Sequence, residues 1–304
     1  MYLHNNKELF QALIKEVSEE NNIDEVFVEK DYFVTLILKR LTEKEPLLIF
    51  KGGTCLSKCY KIIDRFSEDL DITLEKLSDS PRKKMKRHIL GVIEEFDLKL
   101  LNPEAVKSGR KHNNYVLEYP SFYKGLVPPE IQVETMFFVE TFPTERMGAS
   151  SIIGEYLNNN GDNDLIEKYN LESFTVKTQC LERTFVDKVF ALGTRYLKDE
   201  TERQSRHLYD LHKILPHIKI NKDLLDLFDE VRMNWREDNR DNDQIAAEMV
   251  DDLPELLKEV IHEEIYRLDY EKYTNVLLYE DVNYDDAIRT FKKIVSELEG
   301  GMEM

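Results

Sequence analysis

Residues 48–75, LIFKGGTCLSKCYKIIDRFSEDLDITLE, constrain the chain more than any other segment. An apolar run, PLLIF at 46–50, stops at Gly52-Gly53 and resumes as a helical stretch ending near Tyr60 or Ile63. Glycine at such a break lets the backbone turn tightly and approach another group closely. Thr54 is placed to cap the helix, since its hydroxyl can accept from amides of the first turn. A turn at Asp64-Arg65-Phe66-Ser67 leads into DLDITL, where acidic and apolar residues alternate with the period of a strand. Strand, glycine turn, helix and strand in succession point to a sheet with helices packed on it.

The rest of the chain extends this pattern. Leu9, Phe10, Leu13, Ile14 and Val17 recur at helical spacing, and a second helix fits VFVEKDYFVTLILKRL. Residues 82–97 read as an amphipathic helix, and NYVLEY (114–119) and EIQVETMFFV (130–139) read as strands. The stretch 142–172, with NNNGDNDL inside it, is the expected hinge. After SFTVKTQCL (173–181) the pattern turns helical to the end, with WREDNRDNDQ (235–244) as an exposed loop. The expected fold is α+β: a mixed β-sheet with flanking helices over 1–160, followed by a mainly helical domain over 161–304.

Composition narrows the function. No window approaches the 18 or so consecutive apolar residues of a membrane span. Three cysteines, an odd number, argue against a disulfide framework and for a reducing compartment, so a cytoplasmic protein is expected. A formal net charge of −18 argues against a general nucleic-acid binder. The acidity is uneven: 1–160 holds 22 Lys and Arg against 26 Asp and Glu, leaving 20 against 34 in 161–304. The first half also carries two basic clusters, PRKKMKRH (81–88) and KSGRKH (107–112), each a solvated element end or a phosphate-contacting rim.

The Gly52-Gly53-Thr54 turn fits an ordinary strand–helix connection or an anion site, where free N–H groups and the helix dipole favour a phosphate. Lys58, one helical turn on, is placed to reinforce the second. Asp69 and Asp71 are two apart in a strand and so share a face, while Leu70, Ile72 and Leu74 take the other. Paired carboxylates repel unless a cation lies between them, and hard oxygen ligands select Mg²⁺ or Mn²⁺; otherwise DLD is a solvent-facing edge. Glu134, mid-strand among apolar residues, is the expected third metal carboxylate, with Glu130 or Glu140 as substitutes.

Together these features resemble the nucleotidyltransferase superfamily, whose pattern is a GG or GS turn, D-x-D and a later acid. FKGGTCLSKCYKIIDRFSEDLDI is similar to the AbiEii/AbiGii toxin family, including the related MenT toxins. EKDYFVTLIL (29–38) resembles the segment these proteins carry upstream, and RTFVDKVFALGTRYLK…SRHLYDL (183–211) their downstream block. The resemblance implies a nucleotidyltransferase that moves a nucleoside monophosphate from an NTP and releases pyrophosphate. It implies that Lys188 neutralises the triphosphate, where composition alone allows a snorkelling surface lysine. It gives Asp210 a catalytic place, orienting Lys188, the nucleotide or the acceptor, against an intrahelical pair with Arg206 at i−4. Arg206 and Ser67 become phosphate contacts, unless Ser67 only caps its turn. The implied role is the toxin of a toxin–antitoxin or phage-defence pair, with a cognate antitoxin and an RNA acceptor, the tRNA 3′ end leading. Nucleotidylation of a protein or small molecule, and a non-catalytic nucleotide- or partner-binding module, are the alternatives.

Overall fold

A computed structural model describes the chain except for residues 68, 76–78, 109, 111, 124–126, 138–140, 239–252 and 303–304. The chain forms two compact units, Met1–Tyr60 with Ser67–Thr178, and Lys61–Phe66 with Gln179–Met304.

The first unit is built on a mixed sheet. Helices α1 (Lys7–Asn21) and α2 (Glu25–Lys44) open it, each started by a side-chain cap. Asn6 accepts from the Leu9 amide at 3.4 Å and Asp24 from the Val26 amide at 2.9 Å. Helix α1 buries one stripe, Phe10, Leu13, Ile14 and Val17, whereas α2 is buried nearly all round from Val28 to Leu41. Strand β1 (Leu48–Lys51) runs directly into α3 (Gly52–Cys55), which continues as a π turn over Leu56–Tyr60. Then come β2 (Leu70–Leu74), α4 (Asp79–Glu95), β3 (Lys99–Leu100), β4 (His112–Glu118), β5 (Glu130–Met136) and β6 (Thr144–Ala149). Helices α5 (Ile152–Asn160) and α6 (Asn163–Tyr169) precede β7 (Phe174–Gln179).

The strand order is β3-β4-β5-β2-β1-β7-β6. Strand β1 pairs antiparallel with β2 and parallel with β7, and β2 pairs parallel with β5. The core beneath it gathers Phe33, Ile37, Phe50, Leu70, Ile72, Tyr115, Val133 and Val176. Burying a side chain of this size contributes about 1.5–3 kcal/mol.

Three expectations change here. The segment 142–172 is not a hinge: it forms β6, α5 and α6 inside the sheet unit. Its polar residues are caps rather than linker, with Ser151 accepting from the Gly154 amide at 3.0 Å and Gly161 ending α5 at φ 78°. Likewise Thr54 does not cap α3: the helix starts at Gly52, and Thr54 is buried within it. The break between units falls after Thr178 instead of residue 160, because β7 is tied to β1.

The second unit is helical. It contains α7 (Leu181–Leu197), α8 (Arg206–Ile214), α9 (Lys222–Asp238), α10 (Leu253–His262) and α11 (Tyr284–Met302). Its buried residues include Phe185, Val189, Leu208, Leu211, Phe228, Leu257, Phe291 and Leu298. Residues 235–238 of the expected loop continue α9, and 239–244 lie outside the described residues. Residues 61–66 join this unit through backbone bonds to a distant segment. The Phe66 amide donates to Leu277 O and the Tyr279 amide to Asp64 O, both at 2.8 Å, bracketing a bridge between Arg65 and Leu278. Among the described residues no helix is long and apolar enough to cross a membrane.

Candidate active site

In the sheet unit, the glycine turn and the DLD strand meet. Gly52 adopts φ +78°, a left-handed conformation that glycine enters without steric cost. A Cβ at this position would lie 1.9 Å from Asp71 Oδ2. The missing side chain is therefore what lets the Asp71 carboxylate pack on the turn.

Strand register extends the contact into a row. Lys51 opposes Asp71, Asp71 opposes Glu134, and Glu134 opposes Asn114. Opposed residues share a face, so these four line one side of the sheet. Asp69 lies one residue before β2, and Asp69, Asp71 and Glu134 are each half-buried. His112 Nε2 stands 3.9 Å from Glu134 Oε2. Burial, with Lys51 and Arg110 nearby, lowers the His112 pKa.

Among the described residues, no three His, Cys, Asp or Glu side chains are drawn together tightly enough to enclose an ion. Asp71 and Glu134 are aligned neighbours rather than part of a closed shell with Asp69. Cross-strand spacing of about 4.8 Å and like-charge repulsion both hold carboxylates apart. The donor set nonetheless suits Mg²⁺ or Mn²⁺ in kind, being carboxylate oxygens beside a glycine-opened turn. Of the suggested substitutes, Glu130 starts β5 opposite Glu118, and Glu140 lies outside the described residues.

The hydroxyls of Thr54 and Ser67 are 3.0 Å apart, so Ser67 is joined to the glycine turn. Lys58 goes elsewhere. It is buried, with Nζ donating to Asp31 Oδ1 and to Thr35 Oγ1, the latter at 2.6 Å. The other Asp31 oxygen accepts from the Ile152 amide at 2.8 Å, so this pair ties α2 to the helical turn and to α5. Cys55 and Cys59 form no disulfide and are packed in the interior.

The basic clusters adjoin each other. Lys86 Nζ donates to Val106 O at 2.9 Å, joining α4 to the start of the 107–112 loop. Lys83, Lys84, Arg87, Lys107 and Arg110 are exposed around that joint, and Lys111 lies outside the described residues.

In the helical unit, Lys188 of α7 and Asp210 of α8 meet, with Nζ 2.5 Å from Oδ2. Arg65 grips the same carboxylate with two bonds, Nε to Oδ1 at 2.7 Å and Nη2 to Oδ2 at 2.9 Å. Asp210 thus pairs with Arg65 and Lys188. Burial alone would raise the Asp210 pKa, but the Arg65 and Lys188 charges hold it well below the usual carboxylate range. Lys188 is pulled the other way: burial lowers its pKa against the attraction of Asp210. His207 lies well below its ordinary value through burial and the charges of Lys188 and Arg206, so it is neutral at neutral pH. Periodicity and motif spacing give Arg65 no role, although it sits inside the RFSEDLD run that carries the family resemblance.

A family model described as "Nucleotidyl transferase AbiEii toxin, Type IV TA system" matches residues 36–295. The fold is similar to that of MenT4, a nucleotidyltransferase toxin from Mycobacterium tuberculosis H37Rv. The two share 16% identity at a TM-score of 0.51, over 95% of this chain and 89% of that one. No curated protein matches the chain by sequence.

Proposed function

We propose a reaction for this chain from a fixed premise: it belongs to the AbiEii family of nucleotidyltransferase toxins. Its reaction is metal-dependent transfer of a nucleoside monophosphate from an NTP to an RNA acceptor, with the tRNA 3′ end as leading candidate. The observation that carries this reading is the opposition of Asp71 and Glu134 in register, beside a Gly52 turn at φ +78° where a Cβ would meet the Asp71 carboxylate.

Asp69, Asp71 and Glu134 are the residues that would hold Mg²⁺ or Mn²⁺, whose chemistry is to neutralise phosphate charge and acidify an attacking hydroxyl. The chain's own groups supply the rest. The Gly52-Gly53-Thr54 turn offers backbone N–H groups to a phosphate, with Ser67 fixed to it through Thr54. Lys188 stabilises the charge that develops on the leaving pyrophosphate, and Asp210 fixes the Lys188 ammonium. Arg206 adds a second cation for the nucleotide. The acceptor hydroxyl attacks the α-phosphorus in line: a new P–O bond forms as the bond to the bridging oxygen breaks, so positioning and charge neutralisation do most of the work.

RNA is favoured as acceptor by the joined basic surface of α4 and the 107–112 loop. The acidity of 161–304 limits the footprint to a short acceptor end, and it favours a protein acceptor as the second reading. A cytoplasmic site of action and a part in phage defence belong to the same proposal, beside the cognate antitoxin that a type IV system carries.

Incubation with each labelled NTP, Mg²⁺ and total RNA tests it. Label on tRNA supports the RNA reading, and label on protein supports the second. No transfer to any acceptor would leave only nucleotide or partner binding.

A further inference from the structure

Lys188 is assigned to the triphosphate, yet it is buried and bonded to a carboxylate. A lysine and an aspartate in a one-to-one pair present no net charge to a ligand. Here the carboxylate has a second cation. Arg65 engages both oxygens of Asp210, while Lys188 shares only Oδ2. Among the described residues, Arg65 and Lys188 are two cations on this one carboxylate. We propose that Arg65 is a positioning residue for nucleotide transfer: its bidentate grip takes up the charge of Asp210, so that the positive charge of Lys188 serves the nucleotide's polyphosphate. This rests on the reading that Lys188 acts on the triphosphate.

The local structure fits that task. Arg65 is 4% exposed and held by backbone on both sides. The Phe66 amide bonds to Leu277 O, the Tyr279 amide to Asp64 O, and Arg65 itself bridges to Leu278. The Asp64 amide donates to the Tyr209 hydroxyl at 2.8 Å, one residue from Asp210 on α8. Arg65 Nη1 donates to Phe66 O at 2.9 Å, so the guanidinium plane is set before it meets the carboxylate. Only a guanidinium makes such a planar two-point contact; an ammonium in its place reaches one oxygen at a time. The segment around residue 278 thereby acquires a function: it fixes the residue that balances Asp210.

The test is affinity for a non-hydrolysable NTP analogue, measured by calorimetry on the full chain, with thermal melting as a fold control. Lys188→Ala is the check on the underlying reading and should weaken binding by about 10-fold or more, the size of one charged interaction removed. Arg65→Gln leaves a neutral Lys188–Asp210 pair and should weaken binding by about 10-fold. The double variant Arg65→Gln/Asp210→Asn restores one net positive charge and should return affinity to within about 3-fold of the parent. It also removes the uncompensated carboxylate, so it reports even if Arg65→Gln does not fold. Normal binding by Lys188→Ala would overturn the triphosphate reading itself. Weak binding by Lys188→Ala with normal binding by Arg65→Gln would overturn the role of Arg65 alone. So would a double variant as weak as Lys188→Ala, since a purely structural Arg65 gives no recovery.

Discussion

Lys58 and Lys188 are both buried, at 7% and 6% exposure, and each donates to an aspartate. Lys58 faces one carboxylate and one hydroxyl, from Asp31 and Thr35, and Asp31 spends its second oxygen on a backbone amide. Lys188 faces a carboxylate already held on both oxygens by Arg65. The first cluster closes its charge and joins three elements of the sheet unit. In the second, among the described residues, two cations share one carboxylate. Equal burial therefore says little about which lysine is available to a ligand; the count of charges around the shared carboxylate decides it.

Substitution at the two lysines is the strongest way to break this comparison. Lys188→Ala should reduce nucleotide transfer by at least about 100-fold, as expected for loss of a charge stabiliser in the transition state. Asp69→Ala in the sheet unit should cost as much by the same logic. Lys58→Ala should act chiefly on stability, lowering it by about 3 kcal/mol because Asp31, its side chain 16% exposed, is left without its cation. Transfer per folded molecule should fall less than in Lys188→Ala. If Lys58→Ala melts normally and loses transfer as completely as Lys188→Ala, the contrast between the clusters is wrong.

The glycine turn gives the next largest effect. Gly52→Ala must hold a left-handed φ of +78° and also displace the Asp71 carboxylate, which the new Cβ would approach to 1.9 Å. The backbone share is of order 1 kcal/mol, but a misplaced site residue can cost about 100-fold in rate. Transfer should therefore fall by about 30-fold or more while the melting temperature drops only a few degrees. A variant with full activity would separate Asp71 from the reaction.

Most of the sheet unit's candidate residues were legible because their signals are local. The Gly-Gly break, the alternation of DLDITL and the lone acid of IQVETM are each read within a few residues. Their joint arrangement was not legible, because the parallel register that sets Asp71 opposite Glu134 joins strands more than sixty residues apart, and periodicity carries no register between distant strands. Arg65 shows the same limit more sharply. It stands in a four-residue turn, with a partner on α8 and a backbone bridge to Leu278. Nothing within the turn specifies either. The segment 142–172 failed for the opposite reason: Ser, Asn and Gly serve helix caps and linkers alike, and short capped helices look like loop composition.

Acid should act on the helical unit more mildly. His207 has an ordinary value of 6.5 that is lowered well in the fold, chiefly by burial. The unfolded chain therefore takes up a proton there that the folded one refuses, and stability falls as pH drops below about 6.5. Asp210 has an ordinary value of 3.8, which the fold lowers, the Arg65 and Lys188 charges outweighing burial. Its contribution is complete well above that value and is lost as pH falls through and below it. Each group adds a slope of up to about 1.4 kcal/mol per pH unit inside its window. Chemical denaturation across pH should show the upper segment shallower in His207→Asn and the lower one shallower in Asp210→Asn. Unchanged slopes in both would mean these groups titrate alike folded and unfolded.

The smallest effect is expected at the exposed cations of α4, which share no carboxylate with either cluster. Lys84 and Arg87 are exposed beside the joint that Lys86 makes with Val106. Interactions of this kind with an RNA backbone are individually modest and are screened by salt within about a Debye length of 8–10 Å. The double reversal Lys84→Glu/Arg87→Glu should raise the KM for an RNA acceptor by about 5- to 10-fold at low salt, leaving the KM for NTP unmoved. For every phosphate that is no longer neutralised, the dependence of log KM on log salt should also flatten by about 0.7–0.9. This separates the two acceptor readings without knowledge of the sequence modified. A protein acceptor carries no condensed counterions to release, so it would show little change in that salt slope.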